Sequence, residues 1–232
     1  MIWADPDALI EDSLLATMRQ ISDLHRVIAP YPTEDTGLAE RNLTHAFASA
    51  LRRRDGSLFV LHEMPMRITT DEGVRRGALD TVLFNENVLI LIEGKCLGKT
   101  EGIEGLHADW IRLNTKAEPA FHEHTARGVP GKRKVIRLLL ADFWSNKARH
   151  DEDVVIRWLG SGRHEHLIGR ETYAEYRENA VWWNENAKDT PASQKIFCKP
   201  IGDAPTDAGL KPRWHGFSSH HLWAVWRIDD ER

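Results

Sequence analysis

Residues Arg75–Leu97 read RRGALDTVLFNENVLILIEGKCL. Two apolar runs, Ala78–Phe84 and Val88–Leu97, flank the turn residues Asn85-Glu86-Asn87, a pattern that predicts a β-hairpin. The second run, VLILIE, is apolar on both of its alternating faces, as a strand covered on both sides must be. Asp80, Glu93 and Lys95 are placed inside this oily ribbon, where an uncompensated charge costs several kcal/mol or more, roughly. Glu93 and Lys95 are two apart and share one face of their strand. A four-residue turn at Phe84–Asn87 sets Asp80 opposite Leu91, on the same face and diagonal to Glu93; a three-residue turn sends it to the other face. The first register is the one expected here, because the second buries two separate carboxylates.

Two converging carboxylates suit a hard divalent cation, which takes oxygen ligands and keeps several waters. The carbonyl of Gly94 lies between them as a further donor. A cation there acidifies a water, and Lys95 is at hand to orient it, which suits attack on a phosphodiester. The plain alternative is that Asp80 ends its strand and Glu93 and Lys95 form a same-face ion pair.

Asp80…Glu93-Gly94-Lys95, on a hairpin that follows a helix carrying Glu40, resembles the PD-(D/E)XK nuclease superfamily. The match runs over about residues 36–118, with Gly-Ala-Leu before the aspartate in place of the proline and no Gln-x-x-x-Tyr after the lysine. The resemblance implies an α/β fold with a central mixed β-sheet flanked by helices, restriction-endonuclease-like, and Mg²⁺-dependent cleavage, with Mn²⁺ able to substitute. It implies Asp80, Glu93, Gly94 and Glu40 as metal ligands, Lys95 as the catalytic lysine, and DNA as the usual substrate, with RNA left open. Restriction, phage defence or repair is the implied setting. The other expectation from the same fold is a catalytically silent module that binds DNA or a protein.

The composition of the 232 residues is that of a globular protein, 41% hydrophobic and 28% charged. No run spans a bilayer, and the first residues lack a basic segment followed by an apolar one, so a cytoplasmic protein with no membrane partner is expected. Two cysteines, Cys96 and Cys198, make no disulfide framework. A net charge of −4 excludes a uniformly basic DNA binder but leaves room for a basic cleft. Basic clusters stand at Arg52-Arg53-Arg54, Arg75-Arg76 and Lys132-Arg133-Lys134. Arg75 and Arg76 run into the Asp80 strand and are expected to overlook the cleft; Lys99, in the loop after the Glu93 strand, is a further candidate phosphate contact.

Around this centre the chain predicts helices over 7–28, 36–53 and from Ile103 for about four turns. It predicts strands at Leu58–Met66, Lys134–Phe143, Val154–Leu159 and Leu222–Ile228, and a helix at Glu171–Trp183. Residues 119–133 read as a loop, and 190–212 as irregular. His122-Glu123-His124 has no further spaced ligand and is set aside. The expected organisation is one nuclease-like domain over 1–189 and a C-terminal extension over 190–232 packed on it. The first helix or the nine tryptophans offer the surface for a homodimer.

Overall fold

A computed structural model describes residues 2–28, 40–70, 73–97, 102–125, 133–145, 195–203 and 219–230. It is an α/β structure whose centre is a six-stranded mixed sheet with helices on both faces. A short 3-10 turn at Ile2–Ala4 leads into α1 (Pro6–Ile28), then α2 (Glu40–Arg52), β1 (Phe59–Thr70), β2 (Gly73–Phe84) and β3 (Val88–Leu97). There follow α3 (Gly102–Thr115), α4 (Ala117–His124), β4 (Lys134–Ser145), β5 (Lys195–Asp203) and β6 (Ser219–Asp230). The strand order is β1-β2-β3-β4-β6-β5. Only β3 and β4 are parallel, and the segment carrying α3 and α4 supplies the long crossover that a parallel pair needs.

The unbroken apolar run of β3 is explained by its place. Val88, Ile90 and Ile92 face α1 and α2, in one core with Phe47, Leu51, Ile136, Leu138 and Trp226. Leu89 and Leu91 face α3 and α4, in a second core with Trp110, Leu113, Phe121, Leu139 and Trp223. All five β3 side chains are fully buried. Burying such a side chain stabilises by about 1.5–3 kcal/mol, so this strand anchors both layers.

The β2–β3 turn has the expected four residues but lies one residue further along the chain, at Asn85–Val88. Asn85 N–H donates to the carbonyl of Val88 at 3.0 Å, leaving Glu86 and Asn87 at the tip, and Phe84 pairs with Leu89. The Asn85 side chain closes the turn by accepting from the N–H groups of Asn87 and Val88. Asp55 holds the tip from beneath. Its Oδ2 accepts from Asn85 Nδ2 and from the indole N–H of Trp3, and its Oδ1 from the Ser57 hydroxyl and N–H. Burial pushes this carboxyl up, but the bonds from Ser57, Trp3 and Asn85 outweigh burial and hold it below the usual carboxylate range.

Several expectations are corrected. Part of the predicted 119–133 loop is α4, because Pro119 sits in the first helical turn, where its missing N–H costs nothing, and Ala117, Ala120 and Phe121 are buried. The predicted irregular stretch from 190 contains β5, an edge strand whose register shifts between Pro200 and Gly202. Edges and bulges are where proline is tolerated. β1 runs on through Pro65 to Thr70, also at an edge. The helix predicted from residue 36 is described from Glu40. The predicted strand at 154–159 and helix at 171–183 lie outside the described residues. Among the described residues no helix is long and apolar enough to cross a membrane.

Candidate active site

The β2–β3 ladder pairs Thr81 with Ile92 and then stops. Continuing that register by one residue sets Asp80 level with Glu93, directly opposite rather than diagonal. The face is the one the sequence predicts; the register differs by two residues because Asn85, not Phe84, opens the turn. Beyond this point β2 stays paired with β1 while β3 stays paired with β4, each without the other. Asp80 bridges the place where they part, its Oδ2 accepting from the Gly94 N–H at 2.7 Å. Gly94 is thus held to Asp80 through its amide.

Glu93 and Lys95 project from β3 toward α3. Glu93 is 2% exposed. Its Oε1 accepts from Arg112 Nε at 2.9 Å and from a terminal guanidinium nitrogen at 2.6 Å. That same nitrogen lies 2.9 Å from Asp109 Oδ1, and Asp109 Oδ2 lies 3.4 Å from Lys95 Nζ. Glu93, Arg112, Asp109 and Lys95 therefore form one connected cluster, and Asp80 lies near enough to raise both Glu93 and Arg112. Burial pushes the Glu93 carboxyl up to about 8, against the pull of Arg112 and with the help of Asp80 and Asp109. The Arg112 guanidinium is held above its ordinary value: burial lowers it, and Glu93, Asp109 and Asp80 raise it further. Burial, which disfavours the charged carboxylate, thus outweighs the pull of Arg112 at Glu93.

Asp109 and Arg112 are the site residues that the sequence leaves unassigned. A signal for them exists: two carboxylates on a buried strand need counter-charges, and the helix after that strand covers their face. Asp109 and Arg112 flank the apolar stripe of Trp110 and Leu113 at i, i+3 spacing.

Of the four predicted acidic and basic site residues, Asp80, Glu93 and Lys95 come together. Glu40 opens α2, the helix of the opposite face, and its side chain lies outside the described residues. Its neighbour Arg41 binds Glu63 at 3.0 Å, and Glu63 stands level with Asp80 between the pairs His62–Thr81 and Met64–Leu79. The start of α2 is thereby drawn to the Asp80 end of β1. Glu63 has φ 55, in the left-handed region. There the inward-facing phase of β1 changes: Val60 belongs to the α1/α2 core, whereas Met64 and Met66 belong to the α3/α4 core.

Arg76 is exposed on β2, directly opposite Arg67, so two guanidiniums stand on the outer part of the β1–β2 ribbon. Arg75 pairs in register with Ile68, its side chain outside the described residues, as is Lys99 altogether. The other basic clusters are structural where they are described. Arg53 donates to Gln20 and Arg54 to the carbonyl of Asp12, joining the end of α2 to α1. Arg133 is buried over the ring of Phe121.

On the opposite face a cleft of about 380 Å³ lies between α1 and α2, lined by Gln20, Asn42, His45 and Asp142 among others. It is separated from the charged cluster by the sheet. Among the described residues no group of three or more His, Cys, Asp and Glu side chains is gathered as a ready metal cage.

Comparison with protein-family models, with curated proteins and with solved structures returned no match for this chain.

Proposed function

We propose that the chain is a metal-dependent nuclease of the PD-(D/E)XK kind, hydrolysing phosphodiester bonds in DNA at the Asp80–Glu93–Lys95 cluster. The observation that carries this reading is the meeting of Asp80 and Glu93 where β2 and β3 part, with Lys95 on the same face of β3. The run from α2 to β4, one helix, three strands, two helices and a strand, builds a mixed sheet with helices on both faces, the kind of sheet that the resemblance implies.

The donor set fits a hard cation. Asp80 and Glu93 offer carboxylate oxygens from neighbouring places on β2 and β3. Asp80, Glu93 and the Gly94 carbonyl would hold Mg²⁺ or Mn²⁺. When bound, the ion supplies Lewis acidity toward a phosphate oxygen and a water. Lys95, its ammonium steadied by Asp109, orients the attacking water and offsets charge growing on the phosphate. The covered α3 face keeps Glu93 from bulk water and strengthens these interactions. Arg76 and Arg67 give the ribbon beside the site a positive edge for a phosphate backbone.

The test is incubation of supercoiled plasmid with purified protein and Mg²⁺ or Mn²⁺. Nicked circles are expected from wild type, falling about a hundredfold or more in Lys95→Ala and Asp80→Asn. Plasmid retained in a gel shift but never cut would overturn the reading. One observation favours a second reading, a silent module of the same fold: Glu93 is already engaged by Arg112. That reading expects binding without cleavage and no change in Lys95→Ala.

A further inference from the structure

Arg112 stands where the proposed function needs a cation. Both of its donors fall on the single oxygen Oε1 of Glu93, at 2.9 and 2.6 Å. An arginine fork ordinarily spans both oxygens of a carboxylate. Here both bonds from the guanidinium converge on Oε1. The guanidinium has a second holder, Asp109 Oδ1 at 2.9 Å, which sits one helical turn back on the same α3 and is 7% exposed. The Arg112 side chain itself is 27% exposed, so its path out of the cluster is open while its partner carboxylate is sealed.

We propose that Arg112 is a resident counter-ion: in the free chain it occupies the place at Glu93 that the divalent cation takes, and it gives up that place on the tether of Asp109 when the cation arrives. The inference rests on the metal-site reading above and deepens it. A guanidinium pressed onto Oε1 and a divalent ion on the same carboxylate repel each other at contact distance in a site with little water, so the two states exclude one another. Retreat costs Arg112 one partner and leaves the other, because Asp109 stays on α3 beside it. Wherever Glu93 is ionised, the exchange keeps it from standing uncompensated in either state, which is the costly outcome for a buried charge. Arg112 acts here through Glu93 and is a positioning residue. By linkage, the tighter Arg112 holds Glu93, the weaker the cation binds, and the reverse.

The test uses the full wild-type chain labelled with nitrogen-15, and MgCl₂ alone as the probe. Two signals are followed in nuclear magnetic resonance: the Gly94 amide, bonded to Asp80, and the Arg112 Nε–H, bonded to Glu93. The expected result is that both move together over one binding curve, with solvent exchange of the Arg112 Nε–H accelerating about tenfold or more as its bond to Glu93 is lost. If the Gly94 amide titrates while the Arg112 Nε–H keeps its position and protection, the counter-ion role is wrong and the metal site stands. If neither responds at any Mg²⁺ concentration that saturates ordinary carboxylate sites, the metal site and the counter-ion role fall together. A structural arginine predicts the second pattern, since it has no reason to leave.

Discussion

Replacing Glu93 by glutamine exposes how the cluster is balanced. In the wild-type fold this carboxyl is pushed up to about 8 from its ordinary value of 4.5, by burial first, with Arg112 opposing and Asp80 adding to the rise. A carboxyl that is more basic folded than unfolded takes up a proton on folding. Its contribution is therefore fully favourable below about pH 4.5 and is lost as pH rises through 8. Inside that window each pH unit costs about 1.4 kcal/mol, so wild type should lose roughly 3 kcal/mol between about pH 5 and pH 7 from this group alone. Two other groups slope the opposite way. Asp55, held below the usual carboxylate range, adds stability that is lost as pH falls. His62 is lowered, by burial first and His45 second, and contributes stability that is fully present above its unfolded value of 6.5 and is lost as pH falls below it. Both remain in Glu93→Gln, so the difference between the two pH profiles isolates Glu93. Urea unfolding of both proteins across this range measures it. Glutamine keeps an acceptor for Arg112 and should give a profile that no longer falls on account of this site, leaving the variant the more stable of the two near pH 8. Parallel profiles for wild type and Glu93→Gln would refute the argument that burial outweighs Arg112.

Further perturbations separate the supporting contacts from the site. Asp55→Ala removes the acceptor of four hydrogen bonds beneath the β2–β3 turn and should cost about 3 kcal/mol in urea unfolding, with faster amide exchange at Asn87 and Val88. Arg137 is buried between Glu118 of α4 and Asp229 of β6. Arg137→Ala leaves both acids without it and should cost about 3–5 kcal/mol, whereas Arg137→Met with Glu118→Gln should recover most of that loss by thermal melting. Glu63, at φ 55, should tolerate asparagine with little change but lose about 1–2 kcal/mol on replacement by valine, whose branched side chain disfavours this conformation. Arg67→Ala with Arg76→Ala removes a like-charged cross-strand pair. The fold should hold or gain slightly, while plasmid affinity falls and its salt dependence becomes shallower by about two counter-ions.

The centre of the fold is legible because β3 obeys a simple constraint. A strand buried on both faces must be apolar at every position, so the charges that interrupt it stand out, and a period of two puts Glu93 and Lys95 on one side. The face of Asp80 depends on turn length, and only the cost of burying two separate carboxylates favours the one observed. Its level against Glu93 is not legible, since register depends on whether Phe84 or Asn85 closes the turn, and that is settled by Asp55 and Trp3, distant in sequence. Asp109 and Arg112 were hidden for a related reason: their place on a helix is readable, but what they touch is fixed only when α3 folds back over β3. Composition misleads at Pro119 and at Pro200, where a residue that breaks structure elsewhere sits in a first helical turn and on an edge strand. Arg133 reads as part of a basic surface cluster, yet it is buried over Phe121, because charge runs carry no information about the packing of each member.

The central claim is that Asp80 and Glu93 share one cation, and anomalous diffraction from crystals soaked in Mn²⁺ locates such an ion directly. The account predicts a single strong manganese peak between these two carboxylates, with Lys95 beside it and Arg112 turned from Glu93 toward Asp109. Crystals that take up manganese elsewhere, or none, with Arg112 still seated on Glu93, would contradict it.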